Sequence, residues 1–129
     1  QAFSKIGLIP DSGGTYFLPR LVGYQRAMAQ MMLGDKVTAQ EAEQMGMIYK
    51  AVADEDFESA VSALATRLSS MPTKGLALTK KALQQSMTAD LPQQLKNELD
   101  GQLEAGATAD HHEGVQAFLE KRQPIFTGK

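Results

Sequence analysis

The second half of the chain carries apolar residues at the spacing of amphipathic helices. Residues 57–71 have apolar side chains at i, i+3, i+4 and i+7, and Pro72 follows them. Leucines then recur at every fourth position over residues 91–103. The pattern predicts a helix in each region, and the second helix should continue to about Gly106.

Weaker patterns predict the remaining helices. One face of a predicted helix over residues 24–33 holds four apolar core candidates: Ala27, Met28, Met31 and Met32. Thr38 and Glu41 have the spacing of a capping box, so a short helix should begin there and end at Gly46. Two further helices are predicted over residues 74–86 and 110–122.

Two short apolar segments favour strands. Residues 3–9 run into a Pro-Asp-Ser-Gly-Gly turn, and residues 47–52 form a second such segment. A strand without a partner nearby in the sequence leaves its backbone N–H and C=O groups unpaired. We therefore expect a mostly helical chain with one or two short strands, and we expect most of the sheet to precede residue 1.

The composition excludes several classes of function. The chain has 129 residues, enough for one domain, with 43% apolar and 22% charged residues. Its 13 Lys and Arg against 15 Asp and Glu give a net charge of -2, so neither nucleic acid nor an anionic membrane is an expected partner. The absence of cysteine excludes disulfides and thiolate nucleophiles, and it fits the expectation of a cytoplasmic location.

The Asp11 loop (residues 7–14) holds the strongest candidate for chemistry. Asp11 follows Pro10, which restricts the backbone, and precedes Gly13 and Gly14, which allow a ligand to approach the main chain. Apolar neighbours would desolvate the carboxylate and raise its basicity, whereas the start of the next helix would act in the opposite direction. Asp11 could therefore be a general base. The alternative is that it only caps the turn, the commoner use of such residues.

The histidines and their acidic neighbours do not predict a metal site. His111 and His112 are adjacent, and neighbouring side chains on a helix diverge by about 100°, so the two cannot ligate one metal. Asp110 and Glu113 are predicted to be solvent-exposed polar residues. We expect no bound metal.

A second candidate site lies in the last predicted helix. Phe118 and Lys121 are three residues apart, so they would share a face of a helix over residues 110–122. An aromatic ring and a cation on one face could contact a base and a phosphate together. The alternative is a buried phenylalanine beside a solvated lysine, and the pattern does not decide between them.

Four motifs in order cover nearly the whole chain. They are Lys5-Ile6-Gly7-Leu8-Ile9-Pro10-Asp11-Ser12-Gly13-Gly14-Thr15, Leu18-Pro19-Arg20-Leu21-Val22-Gly23, Gly34…Ala39-Gln40-Glu41-Ala42…Gly46-Met47 and Glu113-Gly114…Ala117-Phe118…Lys121-Arg122. In this order they resemble the C-terminal half of the enoyl-CoA hydratase/isomerase (crotonase) family. Each motif is weak alone, and the ordered set is specific.

The resemblance implies an α/β crotonase fold, a spiral of ββα units followed by helices that form a trimer. Residues 1–52 would be the end of the spiral core and residues 53–129 the helical trimerisation region. A homotrimer or hexamer is the implied assembly. The two backbone donors that polarise the thioester carbonyl lie before residue 1 in family members, so the isolated chain would be inactive.

The resemblance also implies a choice among reactions. Hydratases of the family carry a glutamate where this chain has Phe3, and several isomerases carry an aspartate at the position of Asp11. This implies an acyl-CoA isomerase that moves a proton alpha to the thioester, in ring-epoxide, oxepin or 3-enoyl substrates of phenylacetate-type catabolism. The alternatives are an enoyl-CoA hydratase, another acyl-CoA lyase or dehalogenase of the family, and a noncatalytic helical oligomerisation module.

The implied site has two parts. The substrate pocket beside the catalytic Asp11 would consist of Ile9, Pro10, Gly13 and Gly14. Phe118 and Lys121 would reach the adenine and ribose phosphate of an acyl-CoA thioester held by a neighbouring subunit. CoA is part of the substrate, so no separate cofactor is expected.

Overall fold

The computed structural model describes residues 1–129, which divide into two compact units, Gln1–Phe57 and Glu58–Lys129. All regular structure is helical, and there is no strand. The α-helices are α1 Gly14–Val22, α2 Tyr24–Leu33, α3 Ala39–Gln44, α4 Phe57–Ser69, α5 Thr73–Ser86, α6 Leu91–Gly106 and α7 Ala109–Leu119. Two 3-10 helices, Ala2–Ile6 and Asp54–Asp56, complete the regular structure.

The unit boundary follows Phe57, whereas the sequence placed a boundary between residues 52 and 53. The assignment of the two regions to a spiral core and a trimerisation region stays a prediction.

Both predicted strands are wrong. The first segment forms the 3-10 helix Ala2–Ile6, whose end is closed by a bond from the Leu8 amide to the Phe3 carbonyl. In the second segment, the Met47 amide donates to the Ala42 carbonyl at the end of α3. Without a partner strand, the backbone donors in these segments pair locally rather than in a ladder.

The first unit packs around the crossing of α1 and α2. Leu18 and Val22 of α1 and Ala27 of α2 are buried together, and Met31 packs against them. The predicted methionine face is therefore only partly in the core, because Met32 is 66% exposed. Two further half-buried residues close this core from the segment after α3: Met45 and Met47.

The capping box at α3 is confirmed. The Thr38 hydroxyl accepts from the Glu41 amide at 3.2 Å, and the Glu41 carboxylate accepts from the Thr38 amide at 2.8 Å. The bond from the Thr38 amide, and then one that the Thr38 hydroxyl donates to the same carboxylate at 2.8 Å, lower the pKa of Glu41. The reciprocal pair fixes where the helix begins.

The second unit confirms the predicted helices but not their burial. Helix α5 packs on α6, and α6 packs on α7. The leucines repeated along α6 are nevertheless all exposed: Leu91 70%, Leu95 56%, Leu99 58% and Leu103 66%. The periodicity identified a helix, and this chain alone does not cover its apolar face.

Helix α7 ends earlier than predicted. It stops at Leu119, Glu120 is its C-cap, and Lys121 follows in the left-handed region with φ +55°. The prediction of a helix to residue 122 is therefore wrong, and Lys121 does not share a helix face with Phe118.

Candidate active site

The Asp11 loop joins the 3-10 helix to α1. Within this loop (residues 7–14), Gly7 and Gly13 both lie in the left-handed region, and Gly13 is the N-cap of α1. The Asp11 carbonyl accepts from the Gly14 amide at 2.8 Å, which closes the turn. The two left-handed glycines lie on either side of Asp11, which is two residues before the N-cap of α1.

The carboxylate of Asp11 is exposed, and its one hydrogen bond comes from the Ser12 hydroxyl at 3.1 Å. The α1 N-terminus has no side-chain cap, so Asp11 does not cap the helix with its carboxylate. The desolvation expected from apolar neighbours is also not supplied by this chain, because Ile9 beside it is 80% exposed. An exposed carboxylate with one weak partner is free to accept a proton from a ligand.

Gly13 is required by both conformation and space. Its φ is +80°, a region that side chains with a Cβ rarely adopt. A Cβ at this position would lie 3.0 Å from the Cε2 atom of Phe17. Glycine therefore lets the chain turn into α1 against the Phe17 ring.

The residues predicted to line the substrate pocket all lie on this loop. Ile9 is exposed, Pro10 is half-buried, and Gly13 and Gly14 start α1. They flank Asp11 in the sequence, and Asp11 is itself exposed. Their role in binding an acyl group stays a prediction.

The second candidate site lies at the end of α7. Phe118 is 82% exposed, and Lys121 is exposed beyond the helix. The alternative of a buried phenylalanine is wrong for this chain. The structure places both side chains within one turn of backbone, although not on one helix face.

Asp110 is buried, contrary to the prediction that it is solvent-exposed. It is 3% exposed and accepts from the Thr127 amide at 2.6 Å, the Thr127 hydroxyl at 3.3 Å and the Gly128 amide at 2.8 Å. The Asp110 amide in turn donates to the Lys129 carbonyl at 3.1 Å. This carboxylate attaches the C-terminal segment (residues 122–129) to α7.

Glu113 binds the same segment one turn further along. Its carboxylate contacts the Arg122 guanidinium in a bidentate pair at 2.6 and 2.9 Å and accepts from the Ile125 amide at 2.8 Å. Arg122, and then the Ile125 amide, lower the pKa of Glu113 to about 2. The sequence analysis treated both acidic residues as exposed polar side chains and did not assign them this role, although Glu113 is half-buried. Their i, i+3 spacing, which places both on one face of α7, was the available signal.

A concavity of about 460 Å³ lies in the second unit. Its lining is mostly apolar and includes the exposed Phe118 and Phe126 of the C-terminal segment. Phe126 also lies close to Gly114, where an added Cβ would be 3.5 Å from its ring. The C-terminal segment therefore forms part of the surface around Phe118.

No group of three His, Cys, Asp or Glu side chains is arranged to hold a metal ion. The rings of His111 and His112 are tilted by 55°, with centroids 5.8 Å apart. No helix is long and apolar enough to cross a membrane.

Comparison with known proteins identifies the class. Residues 1–129 match the enoyl-CoA hydratase/isomerase family. The chain is 50% identical over its whole length to a probable enoyl-CoA hydratase of Rhodobacter capsulatus and 49% identical to the 1,2-epoxyphenylacetyl-CoA isomerase of Escherichia coli K12. The chain belongs to the enoyl-CoA hydratase/isomerase family.

Solved structures give the same result for the fold. Subunit I of an enoyl-CoA hydratase from Geobacillus kaustophilus superposes on 99% of the chain with a TM-score of 0.94 and 35% identity. An enoyl-CoA hydratase of Bacillus anthracis covers 98% with a TM-score of 0.88 and 31% identity. The chain therefore has the fold of about half of a crotonase-fold enoyl-CoA hydratase. It spans 50% and 49% of these two structures, and about half the length of the curated relatives.

Proposed function

We propose that the protein is an acyl-CoA isomerase in which Asp11 is the acid/base. The observation that supports this most is the exposed Asp11 carboxylate, held between two left-handed glycines and bonded only to the Ser12 hydroxyl. One base suffices to remove a proton alpha to a thioester and return it elsewhere on the conjugated system. Phe3 stands where the resemblance places the glutamate of hydratases, and its side chain cannot orient or deprotonate water.

The proposed reaction needs two contributions. Asp11 accepts the alpha proton while negative charge develops on the thioester oxygen, and the same carboxyl then returns the proton. Donors to that oxygen are required, because a carboxylate alone cannot offset the developing charge. In this proposal they come from outside the chain. No separate cofactor is needed, since CoA is carried by the substrate.

The proposed substrate is a ring-epoxide, oxepin or 3-enoyl CoA thioester of phenylacetate-type catabolism. This choice is supported by the 49% identity to a protein named 1,2-epoxyphenylacetyl-CoA isomerase. Ile9 and Pro10, with Gly13 and Gly14, would border the acyl group beside Asp11. The apolar exposed side chain of Ile9 fits such a neighbour.

The proposed nucleotide contact is made by Phe118 and Lys121, whose side chains are both exposed near the end of α7. They would serve the acyl-CoA of a neighbouring subunit in a homotrimer or hexamer. The uncovered leucine face of α6 supports self-association, because so much exposed apolar surface is unusual for a monomer. A cytoplasmic location is proposed with this activity.

The test replaces Asp11 by Asn in a full-length protein that carries this chain. The substitution keeps the shape of the side chain and removes the base. We expect CoA-thioester binding to be retained while solvent deuterium exchange at the alpha carbon slows by about two orders of magnitude or more. Asp35→Asn, at another exposed aspartate, is the matched control and should exchange at the wild-type rate. Unchanged exchange in Asp11→Asn would remove Asp11 from the mechanism.

A hydratase is the second candidate, favoured by the 50% identity to a probable enoyl-CoA hydratase. Incubation with crotonyl-CoA separates the two, because only a hydratase forms the 3-hydroxy product. If neither crotonyl-CoA, a 3-enoyl-CoA nor a ring-epoxide CoA thioester reacts, a noncatalytic oligomerisation module becomes the better interpretation.

A further inference from the structure

Lys121 has a backbone conformation that residues other than glycine rarely adopt. Its φ is +55°, and its amide donates to the Phe118 carbonyl at 3.2 Å. The Arg122 amide reaches back to the Ala117 carbonyl at 3.0 Å. These two bonds form a Schellman turn, whose left-handed position is usually glycine. A lysine here carries a conformational cost that glycine would avoid.

The neighbouring Arg122 is fixed on two sides. Glu113 holds two of its guanidinium nitrogens, at 2.6 and 2.9 Å, and Glu120 accepts from its Nε at 2.6 Å. Glu113 also accepts from the Ile125 amide. The turn that contains Lys121 is therefore tied to α7 before it and to the C-terminal segment after it.

The two adjacent cations are not equally available. The Arg122 guanidinium forms ion pairs with two carboxylates, those of Glu113 and Glu120. Lys121 is exposed and has no ion-pair or hydrogen-bond partner for its ammonium. Of this pair, only Lys121 can meet an anionic ligand without first breaking an ion pair.

We infer that Glu113 is a positioning residue for Lys121, because its bidentate contact with Arg122 fixes the turn that presents the Lys121 ammonium to the phosphates of CoA. A residue in a costly conformation persists only where its surroundings over-determine it, and Glu113 supplies that restraint. The inference rests on the proposed nucleotide contact of Lys121. Glu113 would thus contribute to the binding of an anion indirectly, by holding the turn that carries Lys121.

The test is a double-mutant cycle in a full-length protein that carries this chain, with free coenzyme A and pantetheine as probes. Lys121→Ala should weaken CoA binding about fivefold, as for an exposed ion pair, and leave pantetheine binding unchanged. Glu113→Gln should weaken CoA binding about threefold in the wild-type background and not at all in combination with Lys121→Ala. Turnover at saturating substrate should not change. Glu98→Gln, at an exposed glutamate of α6, is the control.

A second variant separates positioning from stability. Lys121→Gly removes the conformational cost, so the melting temperature should rise by about 2 °C. CoA binding should nevertheless weaken as much as in Lys121→Ala. If Glu113→Gln does not fold, Arg122→Gln removes the other partner of the same ion pair and takes its place in the cycle.

The outcomes distinguish this inference from the proposed function. If Lys121→Ala leaves CoA binding unchanged, the proposed nucleotide contact fails and the inference fails with it. If Lys121→Ala weakens CoA binding but Glu113→Gln has no effect, only the positioning role is overturned. Two other results also overturn the positioning role, since Glu113 would then act on the fold in general. One is that Glu113→Gln weakens CoA binding equally in the wild-type and Lys121→Ala backgrounds. The other is that it weakens pantetheine binding as much as CoA binding.

Discussion

The Asp11 loop and the end of α7 use the same kind of side chain in opposite ways. The Asp11 side chain is exposed and contacts one hydroxyl, and backbone conformation and one backbone hydrogen bond fix its position. Asp110 is buried and accepts three hydrogen bonds from the C-terminal segment. A carboxylate whose acceptor capacity is used by its own chain is structural, whereas one left open can serve a ligand.

The difference also concerns what holds each region in place. The Asp11 loop depends on Gly13, and its side chains make few contacts with the rest of the first unit. The C-terminal segment has almost no regular structure and is held by charged groups of α7, namely Asp110 and Glu113. Substitution of Asp11 should therefore affect function, whereas substitution of Asp110 should affect attachment of the C-terminal segment.

The largest expected effect is that of Asp110→Ala, which should lower the free energy of unfolding by about 2–3 kcal/mol. Three donors lose a charged acceptor, and two of them are amides of Thr127 and Gly128. Amide hydrogen exchange at these two residues is the local measurement, and both should lose protection. The matched variant Asp11→Ala should change stability by less than about 0.5 kcal/mol. Equal losses of stability in Asp110→Ala and Asp11→Ala would contradict the proposed difference between the two carboxylates.

An intermediate effect is expected for Gly13→Ala, about 1–2 kcal/mol of destabilisation. Alanine must adopt φ +80° and place its Cβ 3.0 Å from the Phe17 ring. Gly101→Ala is the control, because Gly101 lies inside α6 with open space around it. This substitution should raise the free energy of unfolding by up to about 1 kcal/mol. Denaturant unfolding of the two variants measures the difference. A neutral Gly13→Ala would show that the loop does not depend on its backbone conformation.

Sequence patterns predicted the helices well because helix formation depends on nearby residues. The capping box at Thr38 and the apolar repeat of α6 are both local signals, and both helices are present. The strand predictions were wrong because a strand, unlike a helix, depends on residues distant in the sequence. A strand needs a partner, and the segments at residues 3–9 and 47–52 have none within this chain.

The candidate site was only partly predictable. The residues of the Asp11 loop are consecutive, so their proximity followed from the sequence. The end of α7 at Leu119 and the burial of Asp110 depend on contacts with residues 122–129, which periodicity does not report. The face shared by Phe118 and Lys121 was therefore predicted wrongly.

The smallest effect is a pH dependence at Glu113. Its folded-state pKa of about 2 lies below its ordinary 4.5, first because of the Arg122 contact and then because of the Ile125 amide. The stabilisation from this depressed pKa is fully present above about pH 4.5 and is lost as the pH falls towards about 2. Titration of the Glu113 carboxyl by NMR should therefore give a midpoint near 2, and Arg122→Gln should move it back towards 4.5. A wild-type midpoint already near 4.5 would mean that Arg122 does not hold this carboxylate in solution, and that the C-terminal segment is attached through Asp110 alone.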